Sequence, residues 1–129
     1  MTIEYKVVQI KTPIKKEGKD HLFYPRVCNR EKVDLRDMAK RIASISTFSE
    51  IDVQGVLTAF VTEIPQFLLD NYSVELGELG TFSLHITGKG VQKPKQINTR
   101  NIHTVKMAFR PGTRIKEELK KAEFKKRRK

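Results

Sequence analysis

The spacing of apolar residues changes twice along this chain, and these changes restrict the possible folds more than any other feature. Up to residue 27, short runs rich in β-branched and aromatic residues are separated by a polar segment; from residue 34 to residue 68, apolar side chains recur every three or four positions; after residue 71, they alternate with polar ones. The middle pattern is typical of one face of an α-helix, and the last is typical of strands with one buried side. We therefore expect an α+β fold.

The helical region predicts two helices of unequal length. The first follows Asp34 and has its apolar face at Leu35, Met38, Ala39, Ile42 and Ile45. The second begins after Ser49, which can cap the helix, with Asp52 in the first turn, where the helix dipole favours an acid. Its apolar stripe comprises Val53, Val56, Leu57, Phe60, Ile64, Phe67 and Leu68, and its width predicts burial on more than one side. Pro65 predicts a kink because it removes the hydrogen bond to the Val61 carbonyl.

The N-terminal part of the chain predicts a β-hairpin. Residues 5–10 and residues 21–27 are rich in β-branched and aromatic side chains, which favour strands. The polar segment between them contains proline and glycine and predicts a turn. Pro25 favours an edge position for the second strand, because proline cannot donate a hydrogen bond to a neighbouring strand.

Alternating residues predict a second set of strands after residue 71. The apolar members are Val74 and Leu76, then Phe82, Leu84 and Ile86, then Val105, Met107 and Phe109. Gly77 and Gly80 indicate turns or bulges between the first two strands, and Pro111-Gly112 ends the last. A final helix is expected over residues 114–124.

A cationic segment, residues 88–101, separates the last two of these strands. It contains four cations, no acids and only two aliphatic residues, so it has too little apolar surface to form a packed core. Such a segment is either a flexible linker or a projecting arm that becomes ordered on a partner. The alternating strands on both sides favour the arm, because they are what an antiparallel hairpin needs.

Charge is segregated along the chain. Residues 86–129 hold 15 lysines and arginines and three acids, whereas residues 1–85 hold 11 basic and 12 acidic side chains. A nearly neutral body with a strongly cationic appendage is typical of a protein that binds a polyanion. The last five residues, 125–129, are all basic, and we expect them to form a loose tail that adds non-specific affinity.

The sequence argues against several other classes. It shows no nucleophile–base arrangement, no phosphate-cradling glycine motif and no catalytic acid pair, so we expect no enzyme, no cofactor and no small-molecule substrate. Cys28 is the only cysteine, and no apolar run approaches the roughly 20 residues of a membrane span; no membrane partner is expected. His85 and His103 could face each other across the hairpin, but two histidines alone are an incomplete metal-ligand set, and polar positions on a sheet are the alternative.

Two motifs resemble the HU/IHF family of bacterial nucleoid proteins. Residues 74–82, Val-Glu-Leu-Gly-Glu-Leu-Gly-Thr-Phe, are similar to the family's segment that ends in Gly-Thr-Phe, although Glu78 and Leu79 replace the usual Gly and aromatic residue. Residues 109–112, Phe-Arg-Pro-Gly, resemble the family's opening of its last helix. The resemblance covers about residues 33–124, and the additional N-terminal segment is similar to an HU-related group with an N-terminal extension.

The resemblance implies a fold, a partner and a location. The fold would be an intertwined homodimer with a helical base, an antiparallel sheet and protruding β-hairpin arms. The arms would enter the minor groove of double-stranded DNA and bend it with little sequence specificity, condensing DNA in the nucleoid of the bacterial cytoplasm. The implied domains are a hairpin extension over residues 1–32, an HU/IHF-like domain over residues 33–124 and a basic tail over residues 125–129.

Eight residues are candidates for DNA contact. Four cations of the arm would neutralise phosphates, and three lie around the start of the last helix, where backbone N–H groups also suit phosphate oxygens. Pro94, midway between His85 and His103, would be the arm's apex in a symmetric hairpin of about eight residues, roughly 26 Å, on each side. It is either a wedge that unstacks a base step or a residue that shapes a turn. The eight are Lys89, Lys93, Pro94, Lys95, Arg100, Arg110, Arg114 and Lys116.

Two alternative functions also fit these features. Basic arms suit structured RNA as well as DNA, so an RNA-binding or ribosome-associated protein is one. The other is a protein-interaction module whose N-terminal hairpin recruits a partner by strand addition.

Overall fold

The computed structural model describes residues 2–11 and 21–127, and their elements confirm the predicted α+β class. These residues form two compact units. The terminal unit comprises the described residues 2–11, 21–33 and 118–127, and the central unit comprises Asp34–Glu117. Within the described ranges, no helix is both long and apolar enough to cross a membrane.

The terminal unit contains a three-stranded sheet. The predicted N-terminal hairpin strands are confirmed: β1 (Ile3–Lys11) pairs antiparallel with β2 (His21–Val27), with Tyr5 opposite Val27 and Lys11 opposite His21. The predicted turn between them lies outside the described residues. A third strand, which we number β6 (Phe124–Lys126), pairs parallel with β1 on its other side, so that β1 is central.

Strand β6 corrects two expectations for the C-terminus. The final helix, α3 (Thr113–Leu119), ends five residues before the predicted position, and Lys125 and Lys126 lie in a strand rather than in a loose tail. The backbone N–H of Ile3 donates to the Glu123 carbonyl and that of Arg127 donates to the Tyr5 carbonyl, both at 2.8 Å. These bonds join the two ends of the sequence, and no local pattern announces such a pairing. Whether the ranges 1–32, 33–124 and 125–129 are separate domains stays a prediction.

The central unit begins with the two predicted helices, both with side-chain caps. In α1 (Leu35–Ser44), the backbone N–H of Asp37 donates to Asp34 Oδ1 at 2.8 Å, and Asp37 Oδ2 accepts from the Asp34 N–H. The Asp37 N–H bond lowers the pKa of the Asp34 carboxyl, because it favours the charged form. In α2 (Glu50–Leu69), the Ser49 hydroxyl accepts from the Asp52 N–H at 3.2 Å, as predicted. Pro65 lies inside α2, and the kink expected there stays a prediction.

The rest of the central unit is a small antiparallel sheet with the predicted strands. Its order is β3 (Val74–Glu75), β4 (Gly80–Gly88) and β5 (Ile102–Pro111). Strand β4 is central, and β5 ends at the proline that the sequence indicated as its limit.

Very little of the described chain is buried. Only three apolar residues of the described ranges are buried, namely Ala39 on α1 and Val53 and Leu68 on α2. By contrast, Ile51, Val56 and Leu69 of α2 are 83, 69 and 72% exposed. A single copy of the central unit therefore buries little apolar surface to offset the conformational entropy lost on folding.

Close backbone approaches explain two glycines of the sequence motifs. Gly80 has φ of +140°, a conformation that other residues rarely adopt, and a Cβ there would overlap the Arg110 carbonyl oxygen. Gly112 lies against the Glu78 backbone, and its N–H donates to the Leu79 carbonyl at 3.0 Å. The two motifs therefore meet in space, the turn before β4 packing against the turn before α3.

We expect Gly112→Ala to lower the free energy of unfolding by about 1–3 kcal/mol, because its Cβ would overlap the Glu78 carbonyl oxygen. Urea unfolding at a fixed protein concentration measures the change. Gly90→Ala is the matched control, since no atom lies within 4 Å of a Cβ there, and it should alter stability by less than about 0.5 kcal/mol. If Gly112→Ala is as stable as the Gly90→Ala control, this close approach does not constrain the fold.

Candidate functional site

The β4–β5 hairpin separates polar from apolar side chains. Its apolar cross-strand pairs are Phe82 with Phe109, Leu84 with Met107 and Ile86 with Val105. The intervening pairs are Thr81 with Arg110, Ser83 with Ala108, His85 with Lys106 and Thr87 with Thr104. Paired residues in an antiparallel ladder point to the same side, so the ladder has one apolar face and one largely polar, cationic face.

The far end of the hairpin contains a bulge. Thr87 pairs with Thr104, but the next residue, Gly88, pairs with Ile102, so His103 has no partner across the ladder. His85 lies opposite Lys106 instead. The expectation that the two histidines face each other is therefore wrong, because the ladder pairs His85 with Lys106 and leaves His103 at the bulge. No group of three or more potential metal ligands occurs among the described residues.

The cationic segment forms a compact loop rather than an extended arm. Strand pairing ends at Gly88 and Ile102, and a 3₁₀ turn at Pro94–Gln96 follows Lys93, which is extended. The Gln96 N–H donates to the Lys93 carbonyl at 3.0 Å. Proline restricts its own φ and favours an extended residue before it, which suits the start of such a turn. The predicted 26 Å ribbon on each side of Pro94 is thus not formed; Pro94 begins a helical turn.

A second 3₁₀ turn, Thr99–Asn101, precedes β5 and has a capping box at its start. Asn98 Oδ1 accepts from the Arg100 N–H at 2.9 Å, and Asn101 Oδ1 accepts from the Asn98 N–H at 2.8 Å. The Asn101 carbonyl also accepts from the Lys89 N–H at 3.3 Å. The bond from Lys89 joins the two ends of the loop, and the two side-chain bonds occupy the amide oxygens of both asparagines.

The structure brings together most of the predicted site residues at one end of the hairpin. The loop holds five of the eight, all exposed, and Arg110 lies on the cationic face of β5. The sequence analysis missed Lys106, which is exposed on that same face. The alternation of β5 could have revealed it, since Lys106 and Arg110 share the parity opposite to that of Met107 and Phe109. The loop residues are Lys89, Lys93, Pro94, Lys95 and Arg100.

The groups at the start of α3 are less available for phosphate binding than the sequence suggested. The Arg114 guanidinium donates to Glu78 Oε2 at 2.5 Å, an ion pair whose side chains are 69 and 68% exposed. The Lys116 N–H donates to the Gly112 carbonyl, so it is not available to a phosphate, whereas the Lys116 side chain is exposed. An exposed ion pair contributes little to stability, so a phosphate could displace Glu78 at small cost.

Comparison with known proteins adds a family and a fold. A family model described as "HU domain fused to wHTH, Ig, or Glycine-rich motif" matches residues 1–126. This match bears out the HU-like resemblance of the sequence motifs. No protein of curated function matches the sequence.

Ten chains of solved structures match. One of them is a putative bacterial DNA binding protein from Bacteroides vulgatus ATCC 8482, with a TM-score of 0.66 and 13% identity. The alignment covers 98% of this chain and 50% of that one. At this identity the similarity shows a shared fold, and the present chain spans half the length of its structural neighbour.

Proposed function

Because the chain belongs to the family of HU domains fused to wHTH, Ig or glycine-rich motifs, we propose that it is a dimeric architectural protein that binds and bends double-stranded DNA. The observation that carries this proposal is the end of the β4–β5 hairpin. Four exposed cations lie there on one short loop, and the sequence contains no acid between residues 86 and 116. Such a loop attracts a phosphate backbone and has no acid of its own to repel it.

The cationic face of the hairpin extends this contact surface. Lys106 and Arg110 continue from the loop towards α3, where Arg114 and Lys116 lie. Arginine can donate two parallel hydrogen bonds to a phosphate, which gives geometry as well as charge. Together with the loop, these residues form one basic track along the central unit.

The asparagines of the loop argue for weak sequence specificity. Reading a base requires amide groups that are free to meet base edges. The side-chain oxygens of Asn98 and Asn101 already accept backbone hydrogen bonds within the loop. Phosphate contacts and the deformability of the duplex would then decide where the protein binds.

The exposed apolar surface supports a homodimer. Part of the apolar stripe of α2 (Val56, Phe60 and Phe67) and the outer part of the hairpin's apolar face, including Ile86, Val105 and Met107, are exposed in a single copy. Exposed apolar surface on this scale marks an interface between chains. A second copy of α2 and of the sheet would bury it and would supply a second loop, so that two hairpins could hold one duplex. A dimer that bends DNA in this way would act in the bacterial nucleoid.

The dimer is tested by placing a charge on α2. We expect the parent protein to sediment at twice its chain mass of 14.9 kDa. Val56→Lys should abolish the dimer and, at the same concentration, the helical circular dichroism signal, because an uncompensated charge would be buried. Gln66→Lys adds the same charge at a polar, exposed position of the same helix and should remain dimeric. A parent protein that sediments as a folded monomer at every concentration would contradict the proposal.

DNA binding is tested by removing loop charges. If each chain neutralises about four phosphates, log K for a duplex should fall against log salt with a slope of about −7 or steeper. A triple variant, in which glutamine replaces Lys93, Lys95 and Arg100, should flatten the slope by about 5, since a dimer would lose about six contacts. Replacing three exposed cations of α1, Arg36, Lys40 and Arg41→Gln, removes the same charge and should leave it nearly unchanged.

The same titration separates DNA from the alternative partner. Duplex RNA and single strands are measured at one salt concentration beside duplex DNA. Tighter binding to RNA would favour the RNA-binding function instead. A parent slope shallower than about −2 would contradict a phosphate-binding role on any nucleic acid.

We further propose that Pro94 is the wedge that unstacks a base step. It is exposed at the first position of its turn, where an apolar ring can enter a groove. Pro94→Ala should reduce DNA bending measured by energy transfer between dyes at the two duplex ends. Pro94→Leu keeps an apolar wedge without the proline ring and should retain bending. If both variants lose bending equally, Pro94 acts by shaping the turn; if both bend DNA as the parent does, it has neither role.

A further inference from the structure

The tertiary structure places more net charge on the terminal unit than on the unit that carries the hairpin loop. Its described residues hold ten basic and four acidic side chains, whereas the central unit holds 11 basic and nine acidic ones. This distribution follows from β6, which brings the basic C-terminal segment into the sheet with β1 and β2. The terminal unit is therefore cationic, and its charge is additional to that of the basic track on the central unit.

Three of its cations form a line across the sheet. Arg26 of β2 lies opposite Lys6 of β1. On the other side of β1, Tyr5 pairs with Lys126, and the Arg127 N–H donates to the Tyr5 carbonyl at 2.8 Å, which places Arg127 beside Lys6. We call Arg26, Lys6 and Arg127 the cationic row. All three are exposed, and with strands about 4.8 Å apart the row is roughly 10 Å wide at the backbone.

The three members of the row share one face of the sheet, because cross-strand partners point to the same side. On that face, the pair of Glu4 with Lys125 lies on one side of the row and the apolar pair of Val8 with Tyr24 lies on the other. The opposite face is mostly apolar, although Lys126 lies on it. The row thus presents three cations together on one side of the sheet, as a surface for a charged partner would.

Two members of the row lack a neutralising partner within the part of the chain that the structure describes. Among the described residues, Lys6 and Arg26 make no ion pair and no side-chain hydrogen bond. Like charges directly opposite each other destabilise a sheet, so folding alone does not favour this pair. An anion bound across the two strands would remove the repulsion.

A series of side-chain hydrogen bonds holds the third member of the row, Arg127, in place. The Arg127 guanidinium donates to Asn29 Oδ1 at 3.0 Å, and Asn29 Nδ2 donates to Glu4 Oε2 at 2.6 Å. Asn29 has φ of +55°, a left-handed conformation that asparagine tolerates better than most residues. The acid nearest to the row is therefore bonded to an amide, and Asn29 acts as a positioning residue that holds Arg127 next to β1.

From these observations we propose that the cationic row is a second contact surface for the phosphates of duplex DNA, separate from the hairpin loop. The proposal rests on the proposed function, since it assigns the same ligand to a further site. A line of long cationic side chains on an open strand surface, two of them arginines, suits a linear polyanion rather than a single small anion. In a dimer, two rows would extend the length of DNA that one molecule contacts.

Charge removal tests the row against a matched control. A triple variant, in which glutamine replaces Lys6, Arg26 and Arg127, should lower affinity for a duplex at least about tenfold at moderate salt. It should also flatten the salt slope by about 5. Lys11, Lys32 and Lys120→Gln removes three exposed cations of the same unit that lie off the row, and it should change affinity less than about twofold. Equal losses in the two variants would overturn the proposal, because they would show only a general attraction between DNA and a basic body.

Charge reversal separates binding from structural damage. Lys6→Glu places an acid opposite Arg26 and beside Arg127, so we expect the thermal midpoint of the protein to rise while its affinity for DNA falls. Loss of affinity together with a lower midpoint would mean that Lys6 is needed for folding, and would overturn the proposal. Affinity equal to that of the parent would overturn it as well.

The experiments also distinguish this inference from the proposed function. If the parent does not bind duplex DNA, both fail. Suppose instead that the parent binds duplex DNA, that the loop variant binds it more weakly and that the row variant binds it as tightly as the parent. Only the second contact surface is then rejected.

Discussion

The antiparallel register of β4 and β5 is the constraint on which the candidate site depends. Apolar residues meet at every second pair, from Phe82 with Phe109 to Ile86 with Val105, and the two phenyl rings are 4.7 Å apart. A slip of one residue would move this whole set to the cationic face, so packing fixes the register strongly. The same register places Lys106 and Arg110 together and sets the two strand ends from which the loop begins. The position of the loop cations thus depends on the apolar pairs of this ladder.

The shortage of buried surface connects folding to association and function. One copy of the chain buries three apolar residues within the described ranges and exposes much of α2, so its stability would depend on a partner that covers this surface. A second copy would complete the core and duplicate the basic track at the same time. In that arrangement the fold, the dimer and the number of phosphates held by one molecule are set by the same helix, α2. This coupling gives a physical reason for an apolar stripe that is wider than a monomer of this size requires.

The terminal unit shows how a non-local strand pair can redistribute charge. Arg127 and Asn29 are 98 positions apart in the sequence and hydrogen-bonded in the structure, and β6 brings Lys125 and Lys126 alongside β1. Residues 125 and 126, predicted to begin a loose tail, lie in the edge strand of a sheet, and Lys6 and Arg127 from the two ends of the chain come to share one face. The proposed DNA-binding surface is therefore not one appendage but two cationic surfaces, each presented by a small sheet.

The sequence by itself determined the local elements, because their causes are local. The cap at Ser49, the alternation through Phe82 and Phe109 and the proline that ends β5 each act within a few residues, and the structure has the predicted helices and strands there. The tertiary structure alone decided three further features: the bulge that leaves His103 unpaired, the 3₁₀ turns that replace an extended arm around Pro94, and β6. The bulge and β6 depend on pairing with a strand that is distant in the sequence, whereas the 3₁₀ turns use hydrogen bonds between residues two or three positions apart, beyond the point where the ladder ends at Gly88 and Ile102. Charge and motifs indicated the partner class, but the positions of the cations in space follow from register and from long-range pairing, which composition does not contain.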